Sequence, residues 1–404
     1  MGKYDSVTGA DSQPPRPNGG GARTRQPRYV PRSTAALALA DGSVFRGNGF
    51  GAAVDAAGEV VFTTTMVGYQ EVCTDPSFRG QIVCMTYPLI GSYGIHGEAN
   101  ESRRPWIAGL VVREQIATPS HAGSSGTIDE FLRRHGIPGI SGVDTRALTL
   151  LIREVGDSRG VVVWNAADLS DADLVARARA APLPAEHDVV REVSADDVSS
   201  VGNPDGPRIV VVDCGVKQNI VRSLVKRGAW VTIVPFGTPF REIQALRPDG
   251  IVVSPGPGDP ANLDAGLDVV RGIVEHEIPY FGICLGHQLL ARSIGAETRK
   301  LKFGHRGGNH SVKDLLTGRV TITSQNHGFE VDSASVPTNA GWSVRLVNLN
   351  DGSVEGLAHR NLPVMTVQFH PESSPGPLDN DVLFDEFLQL VAAHGPVPGG
   401  RTTD

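Results

Sequence analysis

Between residues 208 and 294, short apolar runs alternate with longer segments that carry apolar residues at helical spacing. The first run, Ile209-Val-Val-Val212, is β-branched and far shorter than the ~20 residues of a membrane-spanning helix, as expected of a buried strand. The pattern predicts strands at 208–213, 230–235, 250–254 and 280–284, and helices at 218–227, 240–246, 263–277 and 287–294. Such alternation is typical of a doubly wound, mainly parallel sheet with helices on both faces. We therefore predict an α/β domain, in which ligands bind beyond the carboxyl ends of the strands.

The residues before this region predict a smaller, mixed α and β N-terminal domain. Asp41-Gly42 is a hairpin turn signal, and strand-like runs and helical periods follow it. Residues 182–206 are rich in Pro, Asp, Ser and Gly without periodicity, which favours a linker. The predicted organisation is a disordered tail at 1–33, the N-terminal domain at 34–181, the linker at 182–206, the α/β domain at 207–393 and a C-terminal tail at 394–404.

Composition favours small-molecule chemistry. The net charge of −7 provides no basic surface for nucleic acid, and no apolar run is long enough to span a membrane. Residues 1–33 lack the apolar core of a signal peptide. They contain Arg and Ser, as an organellar transit peptide does, but Asp5, Asp11, several prolines and the lack of an amphipathic period favour a disordered tail. The four cysteines form no C-x-x-C pair, which favours a reducing compartment over a disulfide scaffold or a zinc site. We therefore predict a cytoplasmic protein that binds neither nucleic acid nor membrane.

Cys284 lies between a predicted strand and a predicted helix, with Gly282 and Gly286 two residues to either side. Glycines at this spacing allow a sharp strand-to-helix turn, from which the middle side chain projects above the sheet. The helix N-terminus favours the thiolate, and the N–H of Leu285 can point at an oxyanion. The alternative is a small buried hydrophobe, the usual role of a lone cysteine. The glycine spacing favours a nucleophile.

His370 and Glu372 follow a predicted strand at 363–369. Residues two apart on an extended chain point to the same side, and Pro371 stiffens the segment between them. A carboxylate on one imidazole nitrogen leaves the other nitrogen to act as a general base. The alternative is an exposed His and Glu at a strand end, which is common at protein surfaces.

Residues 255–260, Pro-Gly-Pro-Gly-Asp-Pro, follow another strand of the same predicted sheet. The segment lacks the Gly-Lys-Ser or Gly-Lys-Thr ending of a P-loop and the dinucleotide-binding glycine pattern, which excludes ATP and NAD there. Its backbone suits the second donor of an oxyanion hole, although it is also a tight turn.

Histidines also occur in two glycine-bearing segments, which we predict to be loops at the rim of the pocket. His305 and His310 lie at 304–310, and His327 lies at 324–329. Neither segment has H-E-x-x-H or a comparable ligand spacing, so we predict no metal site.

Three of these segments together closely resemble the class I, or triad, glutamine amidotransferases: Gly282-Ile-Cys-Leu-Gly-His-Gln288, residues 255–260, and Phe369-His-Pro-Glu372. Other segments resemble the small chain of carbamoyl-phosphate synthetase: Met66-Val-Gly-Tyr-Gln-Glu71, Thr74-Asp-Pro-Ser77, Gly142-Val-Asp-Thr-Arg146, Asp213-Cys-Gly-Val-Lys217 and Ser324-Gln-Asn-His-Gly-Phe329.

This resemblance implies that the chain is a glutaminase. Cys284 would attack the side-chain amide of glutamine, His370 would protonate the departing ammonia, and Glu372 would orient His370. Gly256 and Leu285 would donate to the oxyanion. The glutamine-binding residues implied by the resemblance are Ser77, Gly256, Gly258, Leu285, Gln288, Asn326, Gly328 and Phe329.

The resemblance also implies a partner. Ammonia would pass through an internal channel to a separate large chain, which combines it with bicarbonate and two ATP to make carbamoyl phosphate. ATP and Mg²⁺ belong to that partner, and no cofactor is expected in this chain. The complex would be a heterodimer or a higher oligomer of it. Its product would serve arginine synthesis, pyrimidine synthesis or both.

Three other functions share the amidotransferase fold. A hydrolase of γ-glutamyl peptides and the small chains for anthranilate or guanylate synthesis lack the N-terminal domain. A non-catalytic binding module has no need of Cys284, His370 and Glu372 together. One departure from the family pattern is Ser311, which stands where a proline is expected.

Overall fold

The protein is described here by a computed structural model, which covers residues 35–156, 158–183 and 188–395. The predicted N-terminal tail at 1–33 lies outside the described residues, as do residues 396–404 of the predicted C-terminal tail. No helix within the described ranges combines the length and apolar character that a bilayer span requires.

The first half of the described chain contains nine strands and four helices. The strands are β1 (Ala35–Leu39), β2 (Val44–Gly51), β3 (Ala56–Thr63), β4 (Gln81–Met85), β5 (Leu89–Ile90), β6 (Gly109–Val111), β7 (Glu114–Gln115), β8 (Pro138–Ser141) and β9 (Ser158–Trp164). The helices are α1 (Tyr69–Thr74), α2 (Ile128–Arg134), α3 (Thr145–Val155) and α4 (Asp171–Arg179).

Seven of these strands close into a barrel in the order β1-β2-β8-β6-β4-β3-β9, while β5 and β7 form a separate pair. The predicted hairpin is present: β1 pairs with β2, and the Asp41 carboxylate accepts a hydrogen bond from Ser43 N at 2.9 Å. Helix α3 begins where Asp144 accepts from Ala147 N and buries Leu148 and Ile152. The predicted mixed α and β domain is therefore a barrel with flanking helices.

The second half contains ten strands and six helices. The strands are β10 (Ser199–Gly202), β11 (Arg208–Asp213), β12 (Trp230–Pro235), β13 (Gly250–Val253), β14 (Tyr280–Ile283), β15 (Thr298–Asp314), β16 (Val320–Val331), β17 (Trp342–Asn348), β18 (Val354–His359) and β19 (Val364–Val367). The helices are α5 (Val189–Val193), α6 (Gln218–Lys226), α7 (Phe240–Ala245), α8 (Asp264–Glu275), α9 (Leu285–Ser293) and α10 (Leu383–His394).

These strands form one sheet in the order β10-β12-β11-β13-β14-β19-β18-β17-β15-β16. The four neighbouring pairs in the stretch β12-β11-β13-β14-β19 of this order are parallel. The remaining pairs are antiparallel. One face packs against α8 and α9 through residues such as Val270 and Leu289, and the other packs against α6 and α10 through Ile220 and Phe387. Both faces of the parallel region are covered, which confirms the doubly wound fold.

The predicted linker at 182–206 contains two short elements. Helix α5 buries Val189, Val190 and Val193, and β10 pairs antiparallel with β12 at the edge of the sheet. Strand β10 is mostly exposed, so its pairing depends on main-chain hydrogen bonds and leaves no hydrophobic pattern in the sequence. The domain boundaries stay predictions.

The two histidine-bearing segments were predicted as loops, and this prediction is wrong. Residues 304–310 lie within β15 and residues 324–329 within β16, its antiparallel partner. The register of this pair shifts between Lys300 and His305 and again between Gly307 and His310. Such bulges accommodate glycines inside a strand, which explains why the segments resemble loops in the sequence.

We expect Phe387→Ala to destabilise the protein by about 3–5 kcal/mol, because the Phe387 ring is fully buried and lies 5.5 Å from the Phe281 ring, centroid to centroid. Chemical denaturation followed by tryptophan fluorescence measures the change. Leu316→Ala is the control, since Leu316 is 74% exposed and its truncation should change stability by no more than about 0.5 kcal/mol. Equal effects of the two substitutions would contradict this packing.

Candidate active site

Cys284 stands between β14 and α9 with a backbone that few non-glycine residues adopt, φ 51° and ψ −100°. The flanking glycines are required by close contacts. A Cβ on Gly286 would lie 2.2 Å from Val253 O, and one on Gly282 would lie 2.9 Å from the backbone of Gly286. The structure therefore has the sharp turn that the sequence predicts, with Cys284 at its apex.

The Cys284 thiol is 2% exposed but has polar neighbours. Gln368 Nε2 donates to Sγ at 3.6 Å, and Sγ lies 3.7 Å from the carbonyl oxygen of Asn326. Cys284 packs against an apolar cluster on one side, but its sulfur is within reach of an amide donor and lines the cavity. The surroundings of Cys284 suit a reactive thiol.

One contact holds the backbone of His370 and another orients its ring. Its backbone N–H donates to Ser324 O at 2.8 Å, and its Nδ1 lies 2.7 Å from Glu372 Oε1. Both side chains are at least 99% buried. Nε2 of His370 has no hydrogen-bond partner among the described residues, which leaves this nitrogen for proton transfer with the thiol or a ligand.

Lys217 lies on the other side of Glu372. Its Nζ is 3.1 Å from the same oxygen, Glu372 Oε1, and also donates to the carbonyl of Ser373. The Lys217 side chain is 2% exposed, so its charge interacts with the carboxylate in a nearly dry environment. Sequence reasoning missed Lys217, because a single lysine after a strand carries no spacing signal.

These neighbours set the charges of the pair. Burial alone would lower the pKa of His370, but the Glu372 carboxylate and the Cys284 thiol outweigh burial and raise this pKa to about 10. Burial would raise the pKa of Glu372, but Lys217 and His370 bring it down to about 2. At neutral pH, His370 is therefore an imidazolium and Glu372 a carboxylate.

Cys284 opens onto a cavity at the carboxyl ends of the parallel strands. Seven of the eight residues predicted to bind glutamine line it with Cys284: Ser77, Gly256, Gly258, Gln288, Asn326, Gly328 and Phe329. The eighth, Leu285, is buried beside Gly256, and its predicted contribution is its backbone N–H. The Ser77 hydroxyl is buried and has no hydrogen-bond partner among the described residues, so it can form a hydrogen bond with a ligand.

The cavity has further walls that the sequence did not indicate. Glu59 and Gln81 come from the barrel, and Lys300 and Arg306 come from β15. Lys300 Nζ lies 2.6 Å from Glu59 Oε1, so this ion pair joins the barrel to the large sheet at the edge of the cavity. No sequence pattern relates residues so far apart along the chain.

His305, His327 and Glu355 lie close enough to hold a metal ion, with one candidate ligand atom from each within 4.8 Å of the others. Most of these atoms have other partners, although Nδ1 of His305 has no hydrogen-bond partner among the described residues. The His327 ring nitrogens are 2.8 Å from Phe329 O and 2.9 Å from Gln325 Oε1, and Glu355 accepts from Gln325 and Asn348. The absence of a metal site stays a prediction.

Comparison with known proteins matches both halves of the chain. The family described as "Glutamine amidotransferase class-I" matches residues 210–390, and "Carbamoyl-phosphate synthase small chain, CPSase domain" matches residues 37–162. The carbamoyl phosphate synthase small chain of Symbiobacterium thermophilum is 49% identical over 87% of this chain and 97% of its own. That of Methanopyrus kandleri is 50% identical over 89% and 99%.

The chain belongs to the carbamoyl phosphate synthase small-chain family. Among solved structures, a putative GMP synthase subunit from Thermoplasma acidophilum is 26% identical and covers 47% of this chain and 96% of its own, with a TM-score of 0.41. A likeness at that TM-score adds nothing to the assignment. Membership in the small-chain family confirms the resemblance seen in the sequence, in the barrel as well as in the amidotransferase domain.

We expect Glu372→Gln to lower the pKa of His370 by about 1–3 units, because burial then acts without an opposing carboxylate. The measurement is a pH titration of histidine-labelled protein by NMR. Glu154→Gln is the control, since Glu154 is exposed on α3 and should leave the titration unchanged. An unaltered His370 pKa in Glu372→Gln would show that the carboxylate does not hold the imidazolium.

Proposed function

We propose that this chain hydrolyses L-glutamine through Cys284, His370 and Glu372 and supplies the ammonia to the large chain of carbamoyl phosphate synthase. The observation that carries the proposal is the buried series Lys217–Glu372–His370 beside a strained cysteine at one cavity. Membership in the small-chain family supports the same function.

The reaction follows from the charges of the site. His370 Nε2 takes the proton of the Cys284 thiol, the sulfur attacks the side-chain carbonyl carbon of glutamine, and the carbonyl oxygen accepts from the backbone N–H groups of Gly256 and Leu285. His370, now an imidazolium, gives its Nε2 proton to the departing nitrogen, so that ammonia leaves and a thioester remains. Neutral His370 then takes a proton from water, which attacks the thioester and releases glutamate. Glu372 and Lys217 keep the imidazole in place throughout.

The cavity supports an amino acid as the substrate. Ser77, Gln288 and Asn326 offer polar side chains, while Gly258, Gly328 and Phe329 bring backbone groups to the wall. Gln288 is held rigidly, because its Nε2 donates to Phe329 O at 2.9 Å and to Gln368 Oε1 at 3.0 Å. These groups would recognise the α-ammonium and α-carboxylate of glutamine and exclude ligands without them.

The large chain completes the reaction in this proposal. It would take ammonia through an internal channel and make carbamoyl phosphate from bicarbonate and ATP with Mg²⁺, for arginine and pyrimidine synthesis. This chain would need no cofactor of its own. We also propose a cytoplasmic location, which the four free, buried cysteines support because a reducing compartment keeps thiols reduced.

We expect Cys284→Ser to abolish glutamine-dependent carbamoyl phosphate synthesis in the complex with the large chain, by on the order of 10³-fold or more, and to leave ammonia-dependent synthesis intact. The control is Cys84→Ala, which removes another buried thiol that does not line the cavity. Carbamoyl phosphate formation from either nitrogen source is the measurement. Full glutamine-dependent activity in Cys284→Ser would overturn the nucleophile assignment.

We expect the isolated chain to hydrolyse glutamine about 5- to 150-fold more slowly than the complex, the range of a typical coupling between sites. Glutamate release, measured with and without the large chain, checks this. The same rate in both would show that the site is not coupled to the partner.

A further inference from the structure

Asp75 belongs to the barrel domain but reaches the active site of the other domain. It follows α1 and begins the turn that carries Ser77 into the cavity. Its side chain is nearly inaccessible, with 4% of the residue exposed. A buried carboxylate requires partners, since its desolvation is costly, and Asp75 has one partner on each oxygen.

The two partners of Asp75 are both at the cavity. Oδ1 accepts from the backbone N–H of Ser77 at 2.9 Å, and Oδ2 accepts from Asn326 Nδ2 at 2.8 Å. Ser77 lies in the same turn, whereas Asn326 lies on β16 of the ten-stranded sheet. One carboxylate therefore links two cavity residues from different domains.

The contact with Asn326 fixes which way its amide points. Only the NH₂ end can donate to a carboxylate, so Oδ1 of Asn326 is the end left for a ligand. The backbone carbonyl oxygen of Asn326 lies 3.7 Å from Cys284 Sγ. A shift of Asn326 would therefore disturb both the substrate pocket and the surroundings of the nucleophile.

The contact with Ser77 fixes the other side of the cavity. The Ser77 hydroxyl is buried and has no partner among the described residues, so it is held ready for a ligand by the turn and not by a hydrogen bond of its own. That turn depends on Asp75, whose carboxylate accepts from Ser77 N at its start. Loss of this bond would release the hydroxyl from its position.

We propose that Asp75 is a positioning residue of the glutamine site, which holds the Asn326 amide and the Ser77 hydroxyl in the geometry that binds the amino acid. This inference rests on the proposed glutaminase function. It gives the barrel domain a second role at the substrate site, beside the cavity wall to which Ser77 already belongs. The hydrogen bonds of the Asp75 carboxylate go to Ser77 and Asn326, which line the cavity. Its charge also acts on Lys217, whose close ion-pair partner is Glu372.

The test is Asp75→Asn in the complex with the large chain. The asparagine oxygen can still accept from Ser77 N, but its NH₂ group faces the NH₂ group of Asn326, so one hydrogen bond is replaced by a repulsive contact. We expect KM for glutamine to rise about 10- to 100-fold, the loss typical of a hydrogen bond to a charged group, with kcat changed less than about 3-fold. Ammonia-dependent synthesis should be unchanged.

A rescue experiment separates positioning from a merely structural role. Asn326→Asp alone sets two carboxylates against each other and should also raise KM. The double variant Asp75→Asn with Asn326→Asp restores one N–H···O bond with the polarity reversed. We expect the double variant to bind glutamine at least about 10-fold better than the product of the two single effects predicts. Additive effects would overturn the proposal, and so would an unchanged KM in Asp75→Asn.

A binding assay gives a second readout that does not depend on turnover. Iodoacetamide labels Cys284, and peptide mass spectrometry follows how much glutamine is needed to protect it. The glutamine concentration that half-protects Cys284 should be at least about 10-fold higher in Asp75→Asn than in the wild type. Asp144→Asn is the matched control, because Asp144 is an exposed cap of α3 on the same domain and asparagine caps helices equally well.

The outcomes distinguish this inference from the proposed function. If the wild-type complex does not hydrolyse glutamine, or if Cys284→Ser does so fully, the proposed function fails. If the wild type is active, Cys284→Ser is inactive and Asp75→Asn keeps the wild-type KM, only the role of Asp75 fails. If Asp75→Asn loses ammonia-dependent synthesis as well, the double variant decides: recovery of both activities together marks a structural link and overturns the positioning role.

Discussion

The site depends on one buried oxygen, Glu372 Oε1, which contacts both Lys217 Nζ and His370 Nδ1. All three side chains are at least 98% buried, so each charge avoids a large desolvation cost only because the other two are present. Removing one member would leave an uncompensated charge in a dry environment, at a cost of about 3–5 kcal/mol. The chain therefore has to bring the start of α6 and the segment after β19 together with little tolerance in position.

The barrel contributes to the same electrostatic arrangement. Burial tends to lower the pKa of Lys217, but Glu372, Asp75 and Glu101 oppose burial and raise it. Asp75 and Glu101 come from the first domain. Glu101 also accepts from the backbone N–H of Asn219 at 3.1 Å, in the first turn of α6. The Lys217 ammonium that stabilises Glu372 is thus itself stabilised by acidic residues of the other domain. The charges of the catalytic residues therefore depend on the position of the barrel.

The sequence predicted the parts of the site that follow local rules. Gly282 and Gly286 around Cys284 show the sharp turn because the backbone itself demands glycine there, and His370 with Glu372 follows from the period of an extended chain. Lys217 and Asp75 could not be predicted from the residues alone, because their roles arise from contacts across more than 150 residues of chain. The family resemblance included both residues in its motifs without giving them a role.

The fold shows the same division. Strands with buried β-branched residues and helices with one apolar face were predicted within a few residues, whereas β10 was missed because its main-chain pairing leaves no hydrophobic pattern. The histidine-bearing strands β15 and β16 were wrongly predicted because bulges and glycines in a strand look like a loop.

The pairing of β14 with β19 has a consequence for how the site responds to heat. Cys284 N donates to Val367 O at 2.8 Å, so the segment with the nucleophile and the segment that leads to the base are joined by neighbouring rungs of one parallel ladder. Adjacent strands keep a spacing of about 4.8 Å set by peptide geometry. The spacing of the two backbone segments is therefore set by the central sheet, so the loss of this ladder on heating would separate the nucleophile from the base.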